Sequence, residues 1–238
     1  MFEIKRFGEV ESTNDLMKQQ GKNLPEGTVF VAESQTSGRG RKGRKFYSPK
    51  GLGLYFSILL KPEISGEEAL LLTPMAAVAV AESIEAVYGV DARIKWVNDV
   101  FVDGKKVAGI LTEAVTKGNK QAFFVTGIGI NIQNPTALLP PKLRNIAGGI
   151  AESCEEKEEL LRKVLDNFFY YYKNLTKKEY LDSYREKSFL IGKEIFIPDR
   201  EGETFKVVRI DDSFGLIIEN KNGERETLFC GEVSVKLT

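Results

Sequence analysis

The sequence has no histidine among its 238 residues. That excludes triads and general bases built on imidazole, and it removes the commonest ligand of zinc sites. Cysteine is nearly as scarce. The chain has only two, Cys154 and Cys230, too few and too far apart for a disulfide framework, a usage that suits a reducing compartment. There is no excess of charge: Lys and Arg total 34, as do Asp and Glu, so the net charge is zero. A dedicated nucleic-acid binder is usually basic overall. Phe2–Phe7 is short and charged, so no apolar targeting segment is expected at the start. The most apolar stretch, Ala76–Ala81, is far shorter than a membrane span. Chemistry here must run on Lys, Arg, carboxylates, hydroxyls and backbone.

What is present is an ordinary globular composition, 42% hydrophobic and 29% charged, with length for one large domain or one domain plus an appendage. Its most unusual stretch is QTSGRGRKGRKFYSPK, residues 35–50. Gly38, Gly40 and Gly43 alternate there with Arg39, Arg41, Lys42, Arg44 and Lys45, and no acid interrupts them. Glycine permits close backbone approach, and arginine forks grip phosphate or carboxylate. No Gly-Lys-Ser/Thr ends the stretch, so it is not a Walker loop. No helix-forming run follows the glycines, so it is not a dinucleotide fingerprint. Three readings stay open: a small-molecule anion site, a nucleic-acid contact, or a solvated basic loop.

Periodicity predicts a strand at 2–7, then a helix capped by Ser12 or Thr13, with Asp15 three residues after Ser12, stopping at Gly21. Strands follow at 28–33 and 53–60. Thr73-Pro74 reads as N-cap and N1 of a helix ending at Gly89, with residues 69–72 attached to it. Short strands at 92–96 and 100–102, an Asp103-Gly104 turn, a strand from Lys105, a second turn at 117–119 and a strand at 122–132 predict an antiparallel meander. Residues 134–149 read as a loop. Ser153 and Glu156 suggest a capping box for a helix whose apolar face runs from Leu160 to Tyr172, and residues 179–187 suggest another helix. From Ile191 five short β segments imply a small barrel with its own core. The expected division is 1–187 and 188–238.

Lys106 opens an otherwise apolar strand, whereas Lys105 belongs to the turn. A half-buried ammonium needs an anionic partner; alternatively it snorkels. In GIGIN, residues 127–131, the glycines allow a planar ligand close to the sheet, or mark tight packing. Trp96 reads as core.

Ser12-Thr13-Asn14, GRGRKGR, KWVND followed by KKVAGIL, and GIGIN, in that order, resemble the biotin–protein ligase family. The resemblance covers about residues 11–132. It implies an α+β fold: a mixed, mostly antiparallel sheet with helices, plus a C-terminal barrel like a Src-homology-3 domain. It implies two steps, in which biotin reacts with ATP to give biotinyl-5′-AMP and a lysine of a biotin carboxyl carrier domain then takes the biotin. Under it Lys106 and Arg41 are catalytic. Ser12, Thr13, Asn14, Gln35, Arg39, Gly40, Arg41 and Lys106 hold biotin. Gly38, Arg44, Lys95, Asn98, Asp99 and Asn131 face ATP or the adenylate. Magnesium arrives on the ATP phosphates with no protein metal site. A cytoplasmic enzyme with no nucleic-acid or membrane partner, and a homodimer, are further implications.

Val97 departs from the family's usual proline and Phe46 from its frequent tryptophan. Residues 138–149 match no pattern that assigns adenosine contacts. Ser12 lies so near the start that no helix-turn-helix domain is expected before it, and hence no repressor role. A lipoate–protein ligase shares the expected fold but typically lacks GRGRKGR, and a nucleic-acid module would use the basic loop alone.

Overall fold

The computed structural model describes residues 2–117, 120–200 and 202–235. In chain order the elements are β1 (Glu3–Val10), α1 (Thr13–Gln20), β2 (Thr28–Gln35), β3 (Gly53–Leu60), α2 (Gly66–Ala69), α3 (Leu72–Tyr88), β4 (Arg93–Lys95), β5 (Asp99–Val102), β6 (Lys105–Lys117), β7 (Lys120–Asn131), α4 (Pro141–Arg144), α5 (Lys157–Lys173), α6 (Leu181–Lys187), β8 (Glu194–Phe196), β9 (Phe205–Ile210), β10 (Leu216–Glu219), β11 (Arg225–Leu228) and β12 (Ser234–Val235). The first seven strands form one sheet in the order β1-β2-β3-β7-β6-β5-β4. Only β1 and β2 run parallel; the other neighbours are antiparallel. The last five form an antiparallel sheet, β11-β10-β9-β8-β12, in the place where a barrel-like unit was expected.

The large sheet is covered unequally. On one face Phe56, Ile58, Ile110, Ile128 and Ile130 pack beneath α3 and α5. Strand residues point alternately to opposite faces, so residues 123, 125, 127, 129 and 131 of β7 face the other way. There Phe123 and Val125 close a small cluster with Met17 of α1, Phe30 and Leu59. The next two positions on that face are Gly127 and Gly129. With no side chains there, the second face opens into a cavity. At the other end of α1, Gly21 is αR and starts a single 3-10 turn to Asn23, and it packs closely, since a Cβ would lie 3.0 Å from Leu59 and Phe123.

Several expectations shift. Strand β1 runs on to Val10. The long helix starts earlier than Thr73-Pro74: Ser65 caps α2 in a capping box with Glu68, and α3 follows with Leu71 as N-cap. Pro74 sits in the first turn of α3, where a missing N–H costs little. Gly89 ends α3 in the left-handed region, φ 66°. Together Gly66–Tyr88 is long and apolar enough to cross a membrane, contrary to the reading that no run approaches that length. Its apolar content serves the core, where most of α3 is buried between sheet and α5. The Ser153 capping box does not form. Helix α5 begins at Lys157, and Glu156 precedes it without a side-chain cap. The Asp103-Gly104 turn has both φ values positive, 49° and 71°, as a tight hairpin requires. The turn expected at 117–119 falls largely on residues outside the described ones, as does the end of the last β segment. The loop at 134–149 contains a 3-10 turn, Thr136–Leu138, and α4.

One continuous cluster of buried side chains crosses Ser188. It joins Trp96 and Tyr184 to Leu190, Ile195, Phe214 and Ile218. The Trp96 indole N–H donates to the Phe214 carbonyl at 2.9 Å. Tyr184, fully buried, donates to the Val97 carbonyl at 3.2 Å, and the Trp96–Val97 peptide is cis.

Candidate active site

The cavity on the open face measures about 480 Å³. Its floor is Gly109, Gly127 and Gly129. Its closed end is the first turn of α1 with β2 and β3; its mouth is the basic loop between β2 and β3. A wall comes from residues 135–147, and a rim from residues 231–234.

At the closed end the hydroxyls and amides form one buried network. Ser12 caps α1 by accepting from the Asp15 N–H at 3.4 Å. Thr13 donates its backbone N–H to Gln35 Oε1 at 2.9 Å, and its hydroxyl lies 3.2 Å from the same atom. Gln35 Nε2 donates to Ser48 Oγ at 2.8 Å. Ser57, wholly buried on β3, is 2.7 Å from Thr13 Oγ1 and 2.6 Å from Asn14 Oδ1. Asn14 Nδ2 donates to the Leu111 carbonyl and to Glu113 Oε2, at 3.3 and 2.8 Å. A Cβ on Gly127 would lie 2.2 Å from Asn14 Oδ1. On the same face, the Gly129 position is filled by the Phe46 ring, 2.5 Å from a hypothetical Cβ. The close approach to GIGIN is therefore made by the protein's own amide and ring. Phe46 also meets Tyr55 edge-on.

Across the floor lie the charged groups. Strict alternation from Gly109 would send Lys106 to the core face with Ala108 and Ile110. The pairing of β5 with β6 instead slips between Val100 and Phe101. Val107 and Ala108 are both buried, and the Lys106 side chain lies over Gly109, 3.3 Å from a hypothetical Cβ there. Such an irregularity re-aims a side chain. Lys106 Nζ meets Asp99 Oδ1 at 2.6 Å, with the two side chains 28% and 22% exposed. This is the anionic partner a half-buried ammonium needs, so Lys106 does not snorkel. Asn98 donates to Asp99 Oδ1 at 3.1 Å and to the Ile110 carbonyl at 3.0 Å. Its Oδ1 accepts from Arg41 Nη1 at 3.0 Å. Burial holds the Lys95 ammonium below the usual lysine pKa, against the opposing pull of Asp99. Asn131 donates to the Gly148 carbonyl at 3.2 Å, while its buried Oδ1 has no partner.

No acid interrupts the basic loop in sequence, but acids from elsewhere in the chain hold it. Asp15 takes Arg39 Nε at 2.5 Å, Asp199 lies 3.5 Å from Lys42, and Glu232 receives both Nη atoms of Arg44. Backbone bonds from Gly40 to Arg44 and from Phe46 to Gly38 close the loop on itself. Lys42 and Gly43 are both left-handed, at φ 52° and 72°.

Every site residue named from the sequence lines this cavity except Gly38. Gly38 is a packing position, where a Cβ would lie 2.4 Å from the Phe46 carbonyl. Lys105 points away and donates to the Asn145 carbonyl at 2.7 Å. Sequence reasoning missed Ser57, Glu113 and Glu232, and it gave Phe46 no role. It also left the wall unassigned, where Leu139, Leu143, Ile146 and Ala147 line the cavity. The alternation of β3 places Ser57 on the open face. Nothing local marks the others. Among the described residues no group of three or more His, Cys, Asp or Glu is placed to hold a metal.

Residues 7–131 match the biotin/lipoate A/B protein ligase family. The chain belongs to that family. Within it, the chain is similar to the bifunctional ligase/repressor BirA of Bacillus spizizenii, 42% identical over 135 residues, 57% of this chain. It covers 42% of that relative's length. A biotin–acetyl-CoA-carboxylase ligase of Mycobacterium tuberculosis is 28% identical over 216 residues, 87% of this chain and 79% of that one. Among solved members of the family, the biotin protein ligase from Aquifex aeolicus, in complex with biotin and ATP, is 32% identical. It superposes at a TM-score of 0.82, with 100% of both chains covered.

Proposed function

We propose that this chain is a biotin–protein ligase: it joins biotin to ATP and passes the biotin to a lysine of a carrier domain. The observation that carries the reading is Lys106. Its ammonium stands over Gly109, between a hydrogen-bonding end and a cationic mouth. Thr13, Gln35 and their neighbours offer donors and acceptors for a cyclic urea. Arg41, Arg44 and Lys95 offer positive charge for phosphates. Lys106 sits where a carboxylate and an α-phosphate would meet.

In the first step a biotin carboxylate oxygen attacks the α-phosphorus. The O–P bond forms, the bond to the β-phosphate oxygen breaks, and pyrophosphate leaves. Two anions must be brought together, so charge neutralisation and alignment carry the rate. Asp99 and Asn98 hold Lys106 and Arg41 in place for it. In the second step a lysine amine attacks the anhydride carbonyl, a C–N bond forms, the C–O bond to phosphate breaks, and AMP leaves. Magnesium fits this site only as a companion of ATP. The cavity's carboxylates, Asp99 and Glu232, are already engaged by Lys106 and Arg44, and magnesium is usually held by few carboxylates plus phosphates.

A division near Ser188, a cytoplasmic location and a homodimer formed through the exposed sheet belong to the same reading. The last two rest on family resemblance alone. The test is exchange of labelled pyrophosphate into ATP with purified protein. Exchange that requires biotin supports the reading. Exchange supported by lipoate instead would favour a lipoate–protein ligase, and none with either would overturn both.

A further inference from the structure

The mechanism above leaves one charged cluster unused. It runs along the outer side of α1 and alternates in sign: Arg39, Asp15, Lys18, Glu113. Arg39 Nε meets Asp15 Oδ2 at 2.5 Å, Lys18 Nζ meets Asp15 Oδ1 at 2.9 Å, and Lys18 Nζ meets Glu113 Oε1 at 2.8 Å. The other Glu113 oxygen accepts from Asn14 Nδ2 at 2.8 Å. We propose that Glu113, Lys18 and Asp15 form a strut that fixes the Asn14 amide at the closed end and holds Arg39 at the mouth. This rests on the biotin reading above.

A carboxylate can only accept hydrogen bonds. With Glu113 ionised, the Asn14 NH2 must face it, and the Leu111 carbonyl takes the second proton. Asn14 Oδ1 is thereby turned to Ser57 and to the bare backbone of Gly127. The closed end then presents an acceptor, which suits a ring that brings an N–H donor. If the amide turned over, the same position would offer a donor instead. Lys18 stands against the Glu113 carboxylate and is shared with Asp15 one helical turn earlier. The side chains of Lys18, Glu113 and Asp15 are 25%, 25% and 22% exposed, so solvent screens the chain of charges only in part. Burial opposes the charged forms of Asp15 and Lys18. Their mutual bonds, with those to Arg39 and Glu113, outweigh it, so Asp15 titrates below and Lys18 above the usual range. These three are positioning residues: they act through Asn14 and Arg39.

The test uses the full chain with Glu113→Gln, Glu113→Asp and Asp15→Asn. Biotin affinity is measured by calorimetry without ATP, KM for ATP by exchange, and trypsin cleavage after Arg39 by mass spectrometry. Glutamine can donate or accept toward Asn14 and no longer pairs with Lys18. Glu113→Gln is expected to weaken biotin binding by about tenfold, the scale of one charge-assisted bond, and to leave KM for ATP unchanged. It should also speed cleavage after Arg39, although Glu113 does not touch the loop. Asp15→Asn should speed that cleavage more and weaken biotin less. Glu113→Asp should restore part of both effects, which a merely misfolded variant would not show. Unchanged biotin affinity and unchanged cleavage in Glu113→Gln would overturn the strut and leave the biotin reading intact. Wild-type protein that bound no biotin, with the cleavage responses present, would overturn the biotin reading and leave the strut standing.

Discussion

The two ends of the cavity are built on different physical terms. At the closed end Ser12, Thr13, Asn14 and Ser57 are 2%, 3%, 4% and 0% exposed. At the mouth the side chains of Arg39, Lys42 and Arg44 are 54%, 52% and 65% exposed. A buried polar atom that loses its partner pays its full desolvation cost. An exposed ion pair is worth little and yields readily to another anion. One end is thus costly to perturb and specific in geometry. The other is cheap to rearrange and selects by charge. Lys106 and Asp99 stand between, partly shielded and paired.

Replacing the group between the ends should have the largest effect. Lys106→Ala is expected to lower adenylate formation by at least about a hundredfold, roughly 3 kcal/mol of lost charge stabilisation, with the fold intact by circular dichroism. Lys105→Ala is the matched control and should change it little. Formation of biotinyl-AMP at the normal rate by Lys106→Ala would remove the site's central claim. At the closed end, Ser57→Ala leaves Thr13 and Asn14 short of a buried partner. A loss of about 1–3 kcal/mol in stability is expected, read from denaturant midpoints, together with weaker biotin binding. A neutral result would mean that the closed end is as tolerant as the mouth.

Lys95 brings a dependence on pH. Its folded-state pKa is lowered by burial, so charging it opposes folding. That penalty is present in full below the folded pKa and fades as pH rises towards the unfolded value. Lys95→Met should therefore raise the melting temperature at neutral pH, with the gain shrinking at alkaline pH, while KM for ATP rises. A melting temperature that falls at neutral pH would contradict the burial argument. The smallest effect belongs to the mouth. Glu232→Gln, which frees Arg44, should change stability by less than about 1 kcal/mol and speed trypsin cleavage of the empty loop. ATP should then protect the loop from trypsin in both proteins. Loss of protection in the variant alone would make Glu232 part of the nucleotide site.

Much of this was legible in local pattern. The strand β3 announces itself by an apolar run carrying Tyr55, Phe56 and Ile58, the Asp103-Gly104 turn by its residue types, and Gly89 by its place after an apolar helix. Lys106 stood out as a cation at the head of an apolar strand. The misses have a common cause. The start of α5 and the cap before α3 were chosen by residue type, and tertiary packing chose otherwise. Two partners of the basic loop, Asp199 and Glu232, are more than 150 residues away in sequence, and no periodicity links them to it. The slip that lays Lys106 over Gly109 arises from pairing between two strands, which one strand's sequence does not carry.

The strand end at Lys106 holds more than an ammonium. Its backbone N–H donates to the Ile146 carbonyl at 2.8 Å, and its carbonyl accepts from Gly148 at 3.0 Å. The segment that carries the cavity's apolar wall is thus stitched to the residue that carries its central charge. Lifting the wall breaks two backbone bonds to Lys106. An error in seating one is transmitted to the other, so the wall's fit is also a check on where the charge stands.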